Sequence, residues 1–83
     1  MTKILVEVVV PAAEKRFDVF IPQGSRLSEV KQLMSGILSE LSEGKFKADA
    51  ASVLCDADSG KVFDINKKVA ELKIKNGSKL MFL

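Results

Sequence analysis

One segment of the chain has the periodicity of a long helix, and this constrains the fold more than any other feature. Its apolar residues recur at steps of three and four, namely Leu27, Val30, Leu33, Met34, Ile37, Leu38 and Leu41. The predicted helix has about four turns, begins after Ser25 as N-cap and ends before Gly44. Such a helix must cover its apolar side with another element, so the remaining segments are expected to form a sheet.

Gly36 interrupts the helical pattern and is expected to cost about 1 kcal/mol relative to alanine. Two explanations are open. Either the helix passes close to another backbone at this position, or the glycine is simply tolerated; we favour tolerance.

The flanking segments have the composition of strands. Residues 3–10 and 16–21 are rich in β-branched types and are joined by a short polar connection, which predicts a hairpin. The remaining predicted elements are a third strand (52–55), a short fourth strand (61–63), a helical turn (66–74) and a last strand (80–83) after the Asn76-Gly77 turn. The order ββαββ, helical turn, β predicts one α+β domain over residues 1–83, with a mixed sheet packed against one long helix.

Composition excludes several classes of function. The 83 residues carry a net charge of +2 without a dense basic stripe, so nucleic-acid binding is not expected. The apolar stretch from Ile4 to Val10 is broken by Glu7 and is too short to cross a bilayer. The single cysteine cannot form an internal disulfide, which is consistent with a reducing compartment. We therefore expect a cytoplasmic protein that does not insert into membranes.

No residue pattern predicts catalysis, a metal site or a cofactor. The chain has no histidine that could activate Cys55, so this residue is interpreted as a structural strand cysteine. Asp56, Asp58, Ser59 and Asp64 lack the spacing of a calcium loop and are interpreted as turn formers. We predict a protein that is not an enzyme.

The element order and the final segment resemble the ubiquitin-like (β-grasp) fold over essentially the whole chain. The stretch Leu72-Lys-Ile74-Lys-Asn-Gly77-Ser-Lys-Leu80-Met-Phe82 looks like the last loop and strand of that family. Within it, the chain is most similar to the small bacterial YukD-type proteins associated with type VII (Esx) secretion, on its length, the Lys61-Val62-Phe63 segment and the Ile74-x-Asn-Gly77-x-x-Leu80 loop. The resemblance implies a last strand that lies centrally, parallel to the first, and a helix that covers one sheet face.

The resemblance raises the alternative of a covalent modifier or a sulfur carrier of an adenylation pathway. Such proteins use a C-terminal Gly-Gly tail whose carboxylate is activated. This sequence ends in Phe82-Leu83 and has no glycine after Gly77, so the expectation is a protein that is not conjugated.

Strand alternation, together with the ubiquitin-like alignment, predicts which side chains face away from the helix. Val53, Leu80 and Phe82 are expected inside. Six apolar residues are expected on the outer sheet face and are the candidate partner-binding residues: Leu5, Val9, Phe20, Leu54, Met81 and Leu83.

An apolar face of this size predicts a module that binds a protein partner, and the resemblance suggests an accessory or regulator of a secretion machine. A second copy of the chain is another candidate occupant, which would make a homodimer. The alternative is that the aliphatic parts of lysine and arginine side chains cover some of this face, so that only scattered apolar residues are exposed.

Overall fold

The computed structural model describes residues 2–44, 47 and 52–83. Within these residues four strands form one mixed sheet in the order β2-β1-β4-β3, and one α-helix packs on it. The elements in chain order are β1 (Lys3–Val10), a 3-10 turn (Pro11–Ala13), β2 (Lys15–Pro22), α1 (Leu27–Leu41), β3 (Leu54–Asp56), a second 3-10 turn (Val69–Leu72) and β4 (Lys79–Phe82). The predicted α+β arrangement of a sheet with one long helix is confirmed.

The hairpin of β1 and β2 forms one half of the sheet. The two strands are antiparallel from the pair Lys3 and Pro22 to the pair Val10 and Lys15. Glu14 closes the connection with a φ of 54° and donates its N–H to the carbonyl of Pro11 at 3.0 Å. The predicted hairpin is therefore confirmed.

β4 lies beside β1 and runs parallel to it, with Val8 opposite Leu80 and both side chains buried. The loop before β4 is tied to β1, because Leu5 donates its N–H to Asn76 Oδ1 at 2.8 Å and accepts the N–H of Gly77 at 2.9 Å. Gly77 has a φ of 85°, as the turn prediction requires. Asn76 contributes through its side-chain oxygen rather than through a positive φ.

The N-terminus of α1 is closed by a neighbouring loop. Leu27 and Ser28 donate their N–H groups to the carbonyls of Lys67 (2.9 Å) and Ile65 (2.8 Å). Within the described residues no side chain caps this helix, and Arg26 rather than Ser25 is the N-cap residue. The prediction of a Ser25 cap was wrong because the loop carbonyls already satisfy amides that such a cap would serve.

The fourth predicted strand is reduced to a single bridge. Asp56 to Gly60 form the predicted turn, after which Val62 pairs with Cys55 and Phe63 donates its N–H to Leu54 at 3.0 Å. Asp64 then starts a new turn by accepting the N–H of Asn66 at 2.9 Å. The segment 61–63 thus continues the sheet edge for one pair only.

The core lies between the sheet and α1. The alternate residues of β1 from Ile4 to Val10 are buried against the helix residues Leu27, Val30, Met34 and Leu38.

Leu54, predicted to lie on the outer face, is instead in the core and 0% exposed. It pairs with Phe82, which is also fully buried, so both side chains face the helix. The assignment was wrong by one residue, and a shift of one residue moves every side chain of a strand to the other face. Val53, predicted inside, is correspondingly only half-buried.

Phe82→Ala should lower the free energy of unfolding by about 3–5 kcal/mol, because it leaves a cavity in the core and removes a large buried side chain. Denaturant unfolding measures the change. The matched control is Leu83→Ala, whose wild-type side chain is 51% exposed. Equal stability losses in the two variants would contradict the face assignment of β4.

Gly36→Ala should raise the free energy of unfolding by about 0.5–1 kcal/mol. Among the described residues nothing lies within 4 Å of the position that a Cβ atom would take at Gly36, so the helix gains propensity without a clash. Thermal and denaturant melts of the variant check this, and a destabilised variant would reveal a close approach at this position.

Candidate protein-interaction face

The outer face is the side of the sheet that α1 does not cover. The register of the strands places five of the six candidate residues on it: Leu5, Val9, Phe20, Met81 and Leu83. Leu54 is absent from this face because it is in the core. The face therefore exists, but its make-up differs from the prediction.

Leu5 and Phe20 form one apolar patch, called here the N-terminal patch. They lie opposite each other on β1 and β2, and are 37% and 62% exposed. Cross-strand neighbours of this kind contact each other, so the two side chains make a small continuous apolar surface.

A second, larger patch crosses the sheet near the end of β4. Met81 lies between Val9 of β1 and Cys55 of β3, and Cys55 is paired in turn with Val62. In the next row Leu83 and Val53 exchange both backbone hydrogen bonds, at 2.9 and 3.1 Å. We call this surface the C-terminal patch; it consists of Val9, Val53, Val62, Met81 and Leu83, with Cys55 buried among them.

A row of charged residues separates the two patches. Glu7 lies opposite Asp18 on one side and Lys79 on the other, and its Oε1 is 3.5 Å from Arg16 Nη1. This row means that the six-residue face predicted from the sequence is not one continuous apolar surface. The apolar area that a partner could cover without a charged interruption is the C-terminal patch.

Two residues of the C-terminal patch, Val53 and Val62, were missed by the sequence prediction. Val53 was assigned to the core. Val62 was assigned to a strand, but no side of the sheet was predicted for its side chain. The five-residue turn from Asp56 to Gly60 could have indicated their position. It places Cys55 opposite Val62, and this pairing determines which side chains of the two segments lie on the outer face.

Cys55 has no free surface and no activated thiol. It is 1% exposed and its Sγ lies 3.5 Å from the carbonyl oxygen of Met81. Burial raises the pKa of the thiol, and the neighbouring carboxylate of Asp56 raises that pKa further. The thiolate, which is the reactive form, is therefore disfavoured, and the geometry supports the structural interpretation.

The acidic residues of the 56–66 segment form turns. Asp56 Oδ2 accepts the hydroxyl of Ser59 at 2.7 Å and its N–H at 3.2 Å. The hydrogen bond from the Ser59 hydroxyl is the main reason that the pKa of Asp56 is lowered. Across residues 2–44, 47 and 52–83, no three potential metal-ligating side chains come together.

The sheet order, the parallel pairing of the first and last strands and the crossing helix define the ubiquitin-like (β-grasp) fold, as the sequence resemblance implied. Solved structures agree. The ubiquitin-like domain of the type VII secretion protein EccD1 of Mycobacterium tuberculosis is similar with a TM-score of 0.79 and 15% identity, covering 100% of this chain and 99% of that domain. A chain of the MycP5-free ESX-5 inner membrane complex is similar with a TM-score of 0.81 and 18% identity, over 100% of this chain and 21% of that one.

The fold is not tied to one activity. A chain of a toluene 4-monooxygenase complex is also similar, with a TM-score of 0.81 and 9% identity, over 98% of this chain and 96% of that one. No protein-family model and no curated protein matches the sequence. Among the described residues no helix is long and apolar enough to span a bilayer. The fold alone therefore does not determine a function, which depends on the surface of this chain.

The Cys55 thiol should react with a disulfide reagent at pH 8 on the order of 100-fold more slowly in the folded protein than in denaturant, because reaction requires local opening. Absorbance of the released thiolate measures both rates. A folded protein that reacts as fast as the unfolded chain would show that the thiol is accessible and would overturn its placement.

Proposed function

We propose that this chain is a ubiquitin-like interaction module that binds a protein partner through the C-terminal patch and acts without catalysis. The observation that carries the proposal is the patch itself. Val9, Met81 and Val62 span the sheet from β1 to its edge, and the exposed Leu83 extends the surface toward the chain terminus.

The surroundings of the patch have the anatomy of a binding site. Arg16 lies opposite Val9, Lys79 precedes Met81 on the same face, and Lys61 adjoins Val62. An apolar centre with a polar, exposed rim is typical of interfaces between proteins. Burial of the apolar centre would contribute about 25 cal/mol per Å² before the entropic cost of association.

We further propose that the partner belongs to a type VII secretion system and that the module acts in the cytoplasm as an accessory or regulator. The support is the likeness of the fold to the ubiquitin-like domain of EccD1 and to a chain of the ESX-5 inner membrane complex. The sequence resemblance to the YukD-type group supports the same assignment independently of those structures.

The test is affinity capture from a lysate of the source organism, with bound proteins identified by mass spectrometry. The double variant Met81→Glu, Leu83→Ser should reduce recovery of specific partners by roughly tenfold or more, because a buried carboxylate without a partner opposes binding. Phe20→Ser is the matched control, since Phe20 is 62% exposed on the same sheet face but belongs to the N-terminal patch.

Three results decide the proposal. Loss of the partners in the double variant alone supports the C-terminal patch, and secretion components among them support the assignment to that machine. Undiminished capture by the double variant would reject the patch. If the captured partners are unrelated to secretion, the proposed link to a type VII secretion system is wrong, whereas the proposal of a protein-binding module still holds.

A further inference from the structure

The helix carries an apolar stripe that the core covers only in part, because Ile37 packs against the core while Leu33 and Leu41 are exposed. Leu33 and Leu41 are each 49% exposed, and Ile37 between them is half-buried. The three residues recur at every fourth position and so follow one side of the helix over about 12 Å. We call them the helix stripe. They lie beside the buried row of α1, which consists of Leu27, Val30, Met34 and Leu38.

Gly36 adjoins the helix stripe, and no close contact among the described residues accounts for a glycine at this position. It is exposed, it is one helical turn from Leu33, and apart from its chain neighbours and the adjacent helix backbone no described atom lies within 4 Å of its Cβ position. Glycine inside a helix costs about 1 kcal/mol relative to alanine. Its absent side chain leaves space on the surface in which the backbone of another helix can approach closely.

The charged residues of α1 that lie next to the helix stripe are acidic, and the exposed Arg26 precedes the helix at its other end. Glu29 and Glu40 are exposed on the stripe side of α1, and the exposed Glu43 follows the helix. The helix has one basic residue, Lys31, which is half-buried and lies on a different side from the stripe. The salt bridge found among the described residues, between Arg16 and Glu7, is on the sheet.

We propose that the helix stripe, with Gly36 and the flanking carboxylates, is a docking surface for a basic amphipathic helix of a partner protein. Leu33, Ile37 and Leu41 match the spacing of apolar anchors on such a helix, which repeat at three and four residues. Lysine or arginine beside those anchors would face Glu29 and Glu40.

Charge also disfavours two other occupants. A second copy of the chain would bring the same carboxylates of two helices together, and like charges at an interface oppose association. An anionic membrane surface would be repelled for the same reason. The partner class that complements both the apolar spacing and the charge is a cationic amphipathic helix.

This surface is separate from the C-terminal patch, because α1 packs on the opposite face of the sheet. An experiment can therefore refute binding at one of the two surfaces without affecting the proposal for the other. Met81→Glu tests the sheet face and should leave binding at the helix unchanged, which makes it the control variant here.

The probe is a synthetic amphipathic helix of about 18 residues, with leucines at steps of three and four and lysines on the flanks. A peptide of the same composition in scrambled order is the control. Amide chemical shifts of the isotope-labelled protein should change along α1 from residue 29 to its end at Leu41, and at Glu43, with the amphipathic peptide and not with the scrambled one.

Two sets of variants separate the apolar and the charged contributions. Leu33→Ser, Leu41→Ser should weaken binding of the amphipathic peptide by about tenfold or more, since it removes two anchors. Glu29→Gln, Glu40→Gln should weaken it by roughly three- to tenfold and reduce its dependence on salt. Thermal melts confirm that each variant is folded.

Several outcomes would overturn the proposal. These are equal binding of the scrambled peptide, shift changes confined to the outer sheet face, and unchanged affinity in the Leu33, Leu41 variant. Sedimentation equilibrium supplies the last test, because a dimer that the Leu33→Ser, Leu41→Ser variant abolishes would identify a second copy as the occupant instead.

Discussion

The parallel contact between β1 and β4 is the interaction on which the rest of the structure depends. It joins the first hairpin to the last strand and puts Val8 and Leu80 at the centre of the core. Its register sets Val9 beside Met81 on the outer face, and β3 then pairs with the far side of β4. The C-terminal patch exists because this register aligns apolar residues from strands that are distant in the sequence.

The two sides of the domain offer different chemistry. The outer sheet face presents an apolar surface with arginine and lysine at its rim, whereas the exposed side of α1 presents leucines next to carboxylates. The outer face also carries Glu7 and Asp18, so the two sides differ in the charges that lie next to their apolar residues and not in a strict separation of sign. The two proposed binding surfaces lie on opposite sides of the domain, so the two proposed contacts are compatible with each other.

The sequence predicted the positions of the helix and the strands more accurately than it predicted which side chains of a short strand face the core. The long helix and the first hairpin have enough repeats for periodicity to identify the buried side: Val30 and Met34 of the predicted apolar pattern are buried, and so is Val6 of the hairpin. β3 has three residues, and so short a strand has no periodicity to count. Its facing follows from the pairing of Leu54 with Phe82, a tertiary contact that local pattern does not contain. This is why Leu54 was assigned to the candidate site and Val53 to the core.

The Ser25 prediction failed for a related reason. N-cap preferences describe a helix start in isolation, but here carbonyls from residues 65 and 67 supply the acceptors. The charged row across the outer face is also a product of register, since Glu7 and Lys79 become neighbours only when β1 and β4 pair.

The central pairing also governs how the chain can fold during its synthesis. The hydrogen bond between Leu5 and Asn76 joins residues 71 positions apart, and β4 must be present before the middle of the sheet can form. Contacts of such long range slow folding, because a large loop must close before they stabilise the chain. The hairpin and the amphipathic helix therefore leave the ribosome before β4, and their apolar sides, which are prone to aggregation, stay uncovered until residue 82 has emerged.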